Sequence, residues 1–199
     1  TYREHERLGG FINDIVRYTA DNGWESYWNV HLILAELEVG QTVSAVRRFD
    51  ELAQDGFTEL PRDWNWLENI AMLGEVAYLL DDRERAAVLY DILQPHASLN
   101  AIMLFTWDFA GAVSYYLGLL ATTLERWDDA ERHFTDALQR YEHMKLPPYL
   151  AHTKHQHAAM LVKRGAPNDS GRARAMNEHA QIAAREMGMV RLERLTTAL

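Results

Sequence analysis

His143, His152, His155 and His157 form the densest group of titratable side chains in the chain. His152 and His155 are three residues apart, so on a helix they share a face and could hold a metal ion. No carboxylate stands in register beside them, and Lys154 adds like charge. A solvated or hydrogen-bonded helix face is therefore favoured over a metal site, and His157 is expected at a packing seam. The paired carboxylates Asp81-Asp82 and Asp128-Asp129 could do acid/base work. Both pairs sit where helices should start, where free amides and the helix dipole attract negative charge, so capping is the better reading. The spacings Asp128 to Glu131 and Asp81 to Glu84 are those of capping boxes, and Thr42 is placed to cap the helix carrying Ala45. Gly-x-x-x-x-Gly-Lys-Ser/Thr, His-Glu-x-x-His and Gly-x-Ser-x-Gly are all absent. No catalytic residue, cofactor or metal is assigned.

Aromatic and amide side chains are better candidates for binding. Trp24, Tyr27 and His31 fall on one predicted helix, with Trp66 and Asn69 on another. Trp107 and Tyr115 fall on a third, and Tyr149, His152 and His155 on a fourth. Such residues can line a groove for a peptide or small ligand. The competing reading is core packing, for which Trp28, Leu32 and Ala35 have the right spacing. Trp66 and Asn69 are the most groove-like, because Leu67, Ile70, Leu73 and Gly74 already supply a packing face.

The elements that must carry these residues read almost entirely as helix, with no convincing strand alternation. Four helix pairs are expected. Trp24 to about Val39 pairs with Thr42 to Gln54, and Asp63 to Leu80 with Asp82 to Leu93. Thr106 to Leu124 pairs with Asp128 to Met144, and Pro148 to Lys163 with Ser170 to Met187. The hairpins thus span about 24–55, 63–94, 106–144 and 148–188. A further helix is expected from about Arg3 to Tyr18. Pro61, Pro95 and Pro147-Pro148 stand where helices should stop or begin.

The pairs repeat. Leu73-Gly74 recurs 44 residues on as Leu117-Gly118. Ala45, Ala86, Ala130 and Ala173 occupy one place in four successive second helices, spaced 41, 44 and 43. A small side chain there lets the paired helices approach closely, as Gly74 and Gly118 do from the first helix, where Ile33 replaces them in the first unit. Phe49, Tyr90 and Phe134 follow their alanines by four residues and share their face, placed to fill the gap to the next hairpin. Asn177 stands in that place in the last unit, as suits a terminal repeat facing solvent.

The Leu-Gly, Ala and aromatic order resembles tetratricopeptide repeats, at a longer period than their usual ~34 residues. The run from Tyr116 through Leu117-Gly118, Trp127-Asp128-Asp129-Ala130 and Phe134 to Ala137-Leu138 is similar to the C-terminal helical region of large bacterial signalling ATPases. These are LuxR-type or MalT-like transcriptional regulators and ATPases linked to adenylate/guanylate cyclase domains. Leu60-Pro-Arg-Asp-Trp, Ala151-His-Thr, Met160-Leu-Val-Lys-Arg-Gly and Ala183-Ala-Arg-Glu-Met-Gly-Met add to the likeness. It covers about residues 24 to 190. The resemblance implies an all-α, right-handed α-α superhelix: one tetratricopeptide-like domain over 1–199. It implies a non-enzymatic module that binds a peptide, a neighbouring domain of its own parent chain or an effector, with catalysis and DNA binding elsewhere. Self-association as a homodimer, or a stand-alone repeat adaptor, is the second expectation. A metal-dependent enzyme using His143, His152 and His155 is the remote one.

Composition sets outer bounds. The chain has 199 residues, enough for one core or one repeat array, and begins at Thr1, which suggests a segment of a longer protein. A net charge of −9 argues against direct nucleic-acid binding. From Lys163 onward seven basic residues meet four acidic ones, a local excess that could dock an acidic neighbour or simply be solvated. Cysteine is absent, and no apolar run is long enough for a membrane span, so a cytoplasmic protein without membrane contact is expected.

Overall fold

The computed structural model describes residues 12–17, 25–103 and 108–199, and these are mostly helical. Residues 12–17 are helical (α1); the rest of the expected helix from Arg3 to Tyr18 lies outside the described residues. There follow α2 (Glu25–Glu38), α3 (Thr42–Ala53), α4 (Trp66–Leu79) and α5 (Arg83–Leu93). A short 3-10 turn (Gln94–His96) leads into two strands, β1 (Asn100–Met103) and β2 (Asp108–Ala112). The chain ends with α6 (Val113–Thr123), α7 (Trp127–His143), α8 (Pro147–Arg164), α9 (Asp169–Glu186) and α10 (Val190–Ala198). Among the described residues no helix is long and apolar enough to cross a membrane.

Sequence neighbours pack in pairs: α2 with α3, α4 with α5, α6 with α7 and α8 with α9. The first helices of the pairs also touch in turn, α2 on α4, α4 on α6 and α6 on α8. Their contacts form one continuous core that includes Ile33, Phe49, Ile70, Leu89, Leu117 and Phe134. On its flank Ile12 and Ile15 of α1 bury against Leu32 and Ala35, with Trp28 packed over them.

Close helix approach explains the small residues. Ala45, Ala86 and Ala130 are fully buried and Ala173 nearly so. A Cβ on Gly118 would stand 2.7 Å from the Phe134 ring, so that glycine seats the aromatic of its own pair. A Cβ on Gly74 would instead meet Leu120 of the following pair at 3.1 Å. The repeated glycine thus has two uses.

The turns inside the first three pairs each hold one residue in the left-handed region, Gly40, Asp81 and Glu125, and the turn of the fourth pair holds two, Gly165 and Asn168. In the first three, the next residue's amide reaches back to a carbonyl five positions earlier, as in Gln41 to Glu36, Asp82 to Ala77 and Arg126 to Ala121. This closes the orphan carbonyls of a helix end. It also moves the expected caps. With Asp81 in the turn, the N-cap of α5 is Asp82, whose side chain accepts from the Arg85 amide at 3.0 Å. The N-cap of α7 is Arg126, so Asp128 and Asp129 lie in the first turn, favourable to the dipole but not capping. Gln41, not Thr42, precedes α3.

Two elements depart from the sequence expectation. The helix expected from Thr106 to Leu124 is seen as α6 from Val113; Thr106 itself lies outside the described residues. Asp108–Ala112 is a strand, antiparallel to Asn100–Met103 with a register irregularity between Ala101 and Ile102. Gly111, at φ +141°, cannot continue a helix, and a Cβ there would stand 3.0 Å from the Tyr141 hydroxyl. The second departure is α10, which packs on α9. Asn177 therefore does not face open solvent; its Oδ1 lies 2.9 Å from His155 Nδ1, and its amide donates to the Thr196 carbonyl at 2.7 Å.

Candidate functional site

A cavity of about 450 Å³ opens between α4, α6, α8, the strand β2 and the start of α10. That volume suits a small organic ligand or a few side chains of a peptide. Its wall is built from helical spacing. Glu75 and Tyr78 are three apart on α4, and Tyr149, His152, Thr153 and Gln156 make one face of α8. Tyr115 and Tyr116 enter from the first turn of α6, and Met187, Met189 and Arg191 close the far side.

Hydrogen bonds fix the tyrosines. The Tyr78 hydroxyl donates to Gln156 Oε1 at 2.8 Å, fastening α4 to α8. The Tyr116 hydroxyl donates to the Ala110 carbonyl at 2.7 Å, and the Tyr149 hydroxyl donates to the Phe109 carbonyl. The Tyr141 hydroxyl accepts the Ala112 amide at 2.7 Å. Three phenols from three helices thus hold β2 against the cavity. The rings also stack edge to face, Tyr115 on Tyr116 at 5.2 Å and Tyr149 on Phe109 at 4.9 Å, in arrangements that favour aromatic pairs.

Burial raises three of these phenols above their ordinary value. Burial, and next the negative charge of Glu75, push Tyr78 up to about 12. The same two causes push Tyr116 well above the ordinary phenol value. Burial raises Tyr141 as well. Glu75 is the one carboxylate among the described residues lining the cavity. Arg191 brings a positive charge, but Glu38, at the end of α2, matches it: Arg191 Nε donates to Glu38 Oε2 at 2.6 Å, and a second bond joins Nη2 to Oε1. This pair joins positions 153 apart in sequence and is almost wholly shielded from water.

The cavity gathers Tyr115, Tyr149 and His152 from the sequence candidates. The others lie elsewhere. Asn69 is 7% exposed in the interior of α4. Trp66 stands between the Arg62 guanidinium, 4.8 Å over its ring, and the edge of His96 at 5.4 Å. His31 Nε2 lies 3.1 Å from Oε1 of the buried Glu68. Tyr27 lies in α2, while Trp24 and Trp107 fall outside the described residues. The histidines do not converge. His152 lines the cavity, His155 is buried against Asn177, His143 is exposed, and His157 is buried in the seam between α7 and α8. Among the described residues no three His, Cys, Asp or Glu side chains could together hold a metal ion.

Sequence reasoning missed Glu75, Tyr78, Tyr116, Thr153, Gln156 and Arg191. The α8 face was available as a signal, since Tyr149, His152, Thr153 and Gln156 follow the i, i+3, i+4, i+7 pattern of one helix side. The C-terminal arginines are also largely spoken for. Arg164 pairs with Asp169 and Glu131, Arg172 with Glu131, Arg185 with Glu193 and Arg191 with Glu38. No family model matches the chain, and neither does any curated protein or solved structure.

Proposed function

We propose that this chain is a non-enzymatic binding module, a tetratricopeptide-like right-handed superhelix whose ligand enters the cavity between α4, α6 and α8. Successive first helices packed on one another, with small residues at the pair contacts, support that architecture. The resemblance of Tyr116 to Leu138 to the helical region of bacterial signalling ATPases supports a regulatory role within a larger protein. The observation that carries the reading is a cavity of about 450 Å³ walled by tyrosines, of which Tyr78 and Tyr116 have their hydroxyls already engaged, leaving ring surface to meet a guest.

A ligand there touches α4, α8 and α10 together. It would favour the arrangement in which they are close, and so pass binding on to whatever domains adjoin the array. The test is a fragment screen by NMR with tyrosine rings isotopically labelled. Binders are expected to shift Tyr78, Tyr116 and Tyr149, and His152→Trp, which fills part of the cavity, is expected to abolish the shifts. Binders that shift only other tyrosines, and are indifferent to His152→Trp, would overturn the assignment.

A further inference from the structure

The charged and polar groups around the cavity are spent on the protein itself. Arg191 is held by Glu38 through two hydrogen bonds, in surroundings almost closed to water. Glu75 is not free either. Gln156 Oε1 accepts the Tyr78 hydroxyl, and the Thr153 hydroxyl donates to the Tyr149 carbonyl at 2.8 Å. The Tyr116 and Tyr149 hydroxyls donate to the carbonyls of Ala110 and Phe109.

Beyond these groups the lining is apolar and polarisable: Leu79, Pro148, the thioethers of Met187 and Met189, and the rings of Tyr115 and Tyr149. Each of those rings is braced by two others, Tyr115 by Tyr116 and Phe134, Tyr149 by Phe109 and Tyr141. The surface is therefore preformed, which lowers the cost of binding to it. A charged guest would leave water for a wall whose own charges are already engaged, and would recover little of its hydration. A neutral aromatic guest gives up no such hydration. It gains from burying its ring, from edge-to-face or offset contact with tyrosines, and from contact with methionine sulfur. A cavity of about 450 Å³ has room for a fused-ring compound of the size of indole.

We propose that the cavity selects a neutral, planar aromatic group, seated against the rings of Tyr115 and Tyr149 and the thioethers of Met187 and Met189. This rests on the reading of the cavity as the binding site and specifies what binds there. The ring could belong to a free compound or to an aromatic side chain of a peptide; the chemistry recognised is the same.

The experiment titrates four probes of similar shape into the whole chain and follows them by tyrosine-ring NMR: 2-phenylethanol, 2-phenylethylammonium, phenylacetate and 2-cyclohexylethanol. The phenyl alcohol is expected to bind at least about tenfold more tightly than either charged probe, and severalfold more tightly than the cyclohexyl alcohol. Glu38→Gln, which leaves the Arg191 charge unmatched, is expected to narrow the gap between phenylacetate and the phenyl alcohol. N-acetyl-phenylalanine N-methylamide, as a fifth probe, identifies the source. Binding at least as tight as the phenyl alcohol points to a peptide side chain, and weaker binding to a free compound; either order keeps the proposal. In the wild-type chain, a charged probe or the cyclohexyl alcohol binding as tightly as the phenyl alcohol would overturn the preference and leave the cavity as the site. Shifts that appear for no probe at Tyr78, Tyr116 or Tyr149 would overturn both.

Discussion

His152 and His157 stand on the same helix, and their surroundings are opposite. Five residues along α8 turn the direction of a side chain by about 140°. His152 therefore meets the cavity with Tyr149, Thr153 and Gln156, while His157 is driven into the seam against α7. There its ring stacks on Phe134 at 5.5 Å, beside the ion-paired group of Glu131, Arg164, Asp169 and Arg172. The seam is closed by charges that satisfy one another. Arg164 holds the Asp169 carboxyl down to about 2, with help from the Ala166 amide, and Arg172 foremost, then Arg164, lowers Glu131. The cavity side is held open by phenols that tie down β2. One helix thus has a face committed to packing and a face that lines the cavity. Substitutions on the two sides should fail differently.

The largest effect is expected on the packed side. Gly118→Ala places a methyl group 2.7 Å from the Phe134 ring, which is itself pinned between Gly118 and His157 and cannot swing clear. Overpacking of this kind should cost about 3 kcal/mol. The equivalent Gly74→Ala meets only the end of Leu120 at 3.1 Å, a flexible side chain, and should cost less than about 1 kcal/mol. Urea denaturation of both variants checks the contrast. Equal losses would mean that the two glycines, alike in the repeat, are also alike in their packing.

His157 sharpens the comparison through pH. Burial lowers its pKa to about 4, against an ordinary value near 6.5, and neither ring nitrogen has a hydrogen-bond partner among the described residues. Between those values the unfolded chain takes up a proton that the folded chain refuses. Stability is therefore complete above about pH 6.5, falls as pH drops towards 4, and levels off below, with up to about 3 kcal/mol at stake. His157→Phe keeps the stack on Phe134 and removes two buried polar atoms. It is expected to leave stability at neutral pH the same or about 1 kcal/mol higher, and to flatten the acid slope. Denaturation curves across that pH range read both; an unchanged slope would show that the acid sensitivity belongs to other groups.

How much of this the sequence discloses depends on how local each cause is. Helical character is legible throughout the pairs, because 3.6-residue patterning and proline placement are local. Ala86, Ala130 and Phe134 mark where helices touch because close approach demands a small residue and fills the remainder with a ring. The turns are half legible. Gly40 and Gly165 announce a left-handed residue, but Asp81 and Glu125 adopt the same conformation without announcing it, which is why the caps shift by a residue or more. The strand pair is not legible, because what holds Asp108–Ala112 extended is the set of hydroxyls of Tyr116, Tyr141 and Tyr149, supplied by three different helices. The cavity is legible only as the face of α8. Its closure by Arg191 and Glu38 joins positions too far apart for any spacing rule to connect.

The smallest effects should come from the cavity side, where hydroxyls do the holding. Tyr116→Phe and Tyr149→Phe each remove a single donor to a β2 carbonyl while keeping the ring in place. Each should cost about 1 kcal/mol, the net worth of one intramolecular hydrogen bond. The two bonds restrain neighbouring residues, Ala110 and Phe109, so the double variant should lose less than the sum of the singles once the strand has been loosened. Hydrogen exchange locates that loosening. The amides of β1 and β2 should exchange faster in either variant, while those of α7 and α9, on the packed side, should keep wild-type protection. Faster exchange spread evenly over α7 and α9 would mean that the open and packed faces of α8 are one cooperative unit, so that loosening the strand reaches the packed side as well.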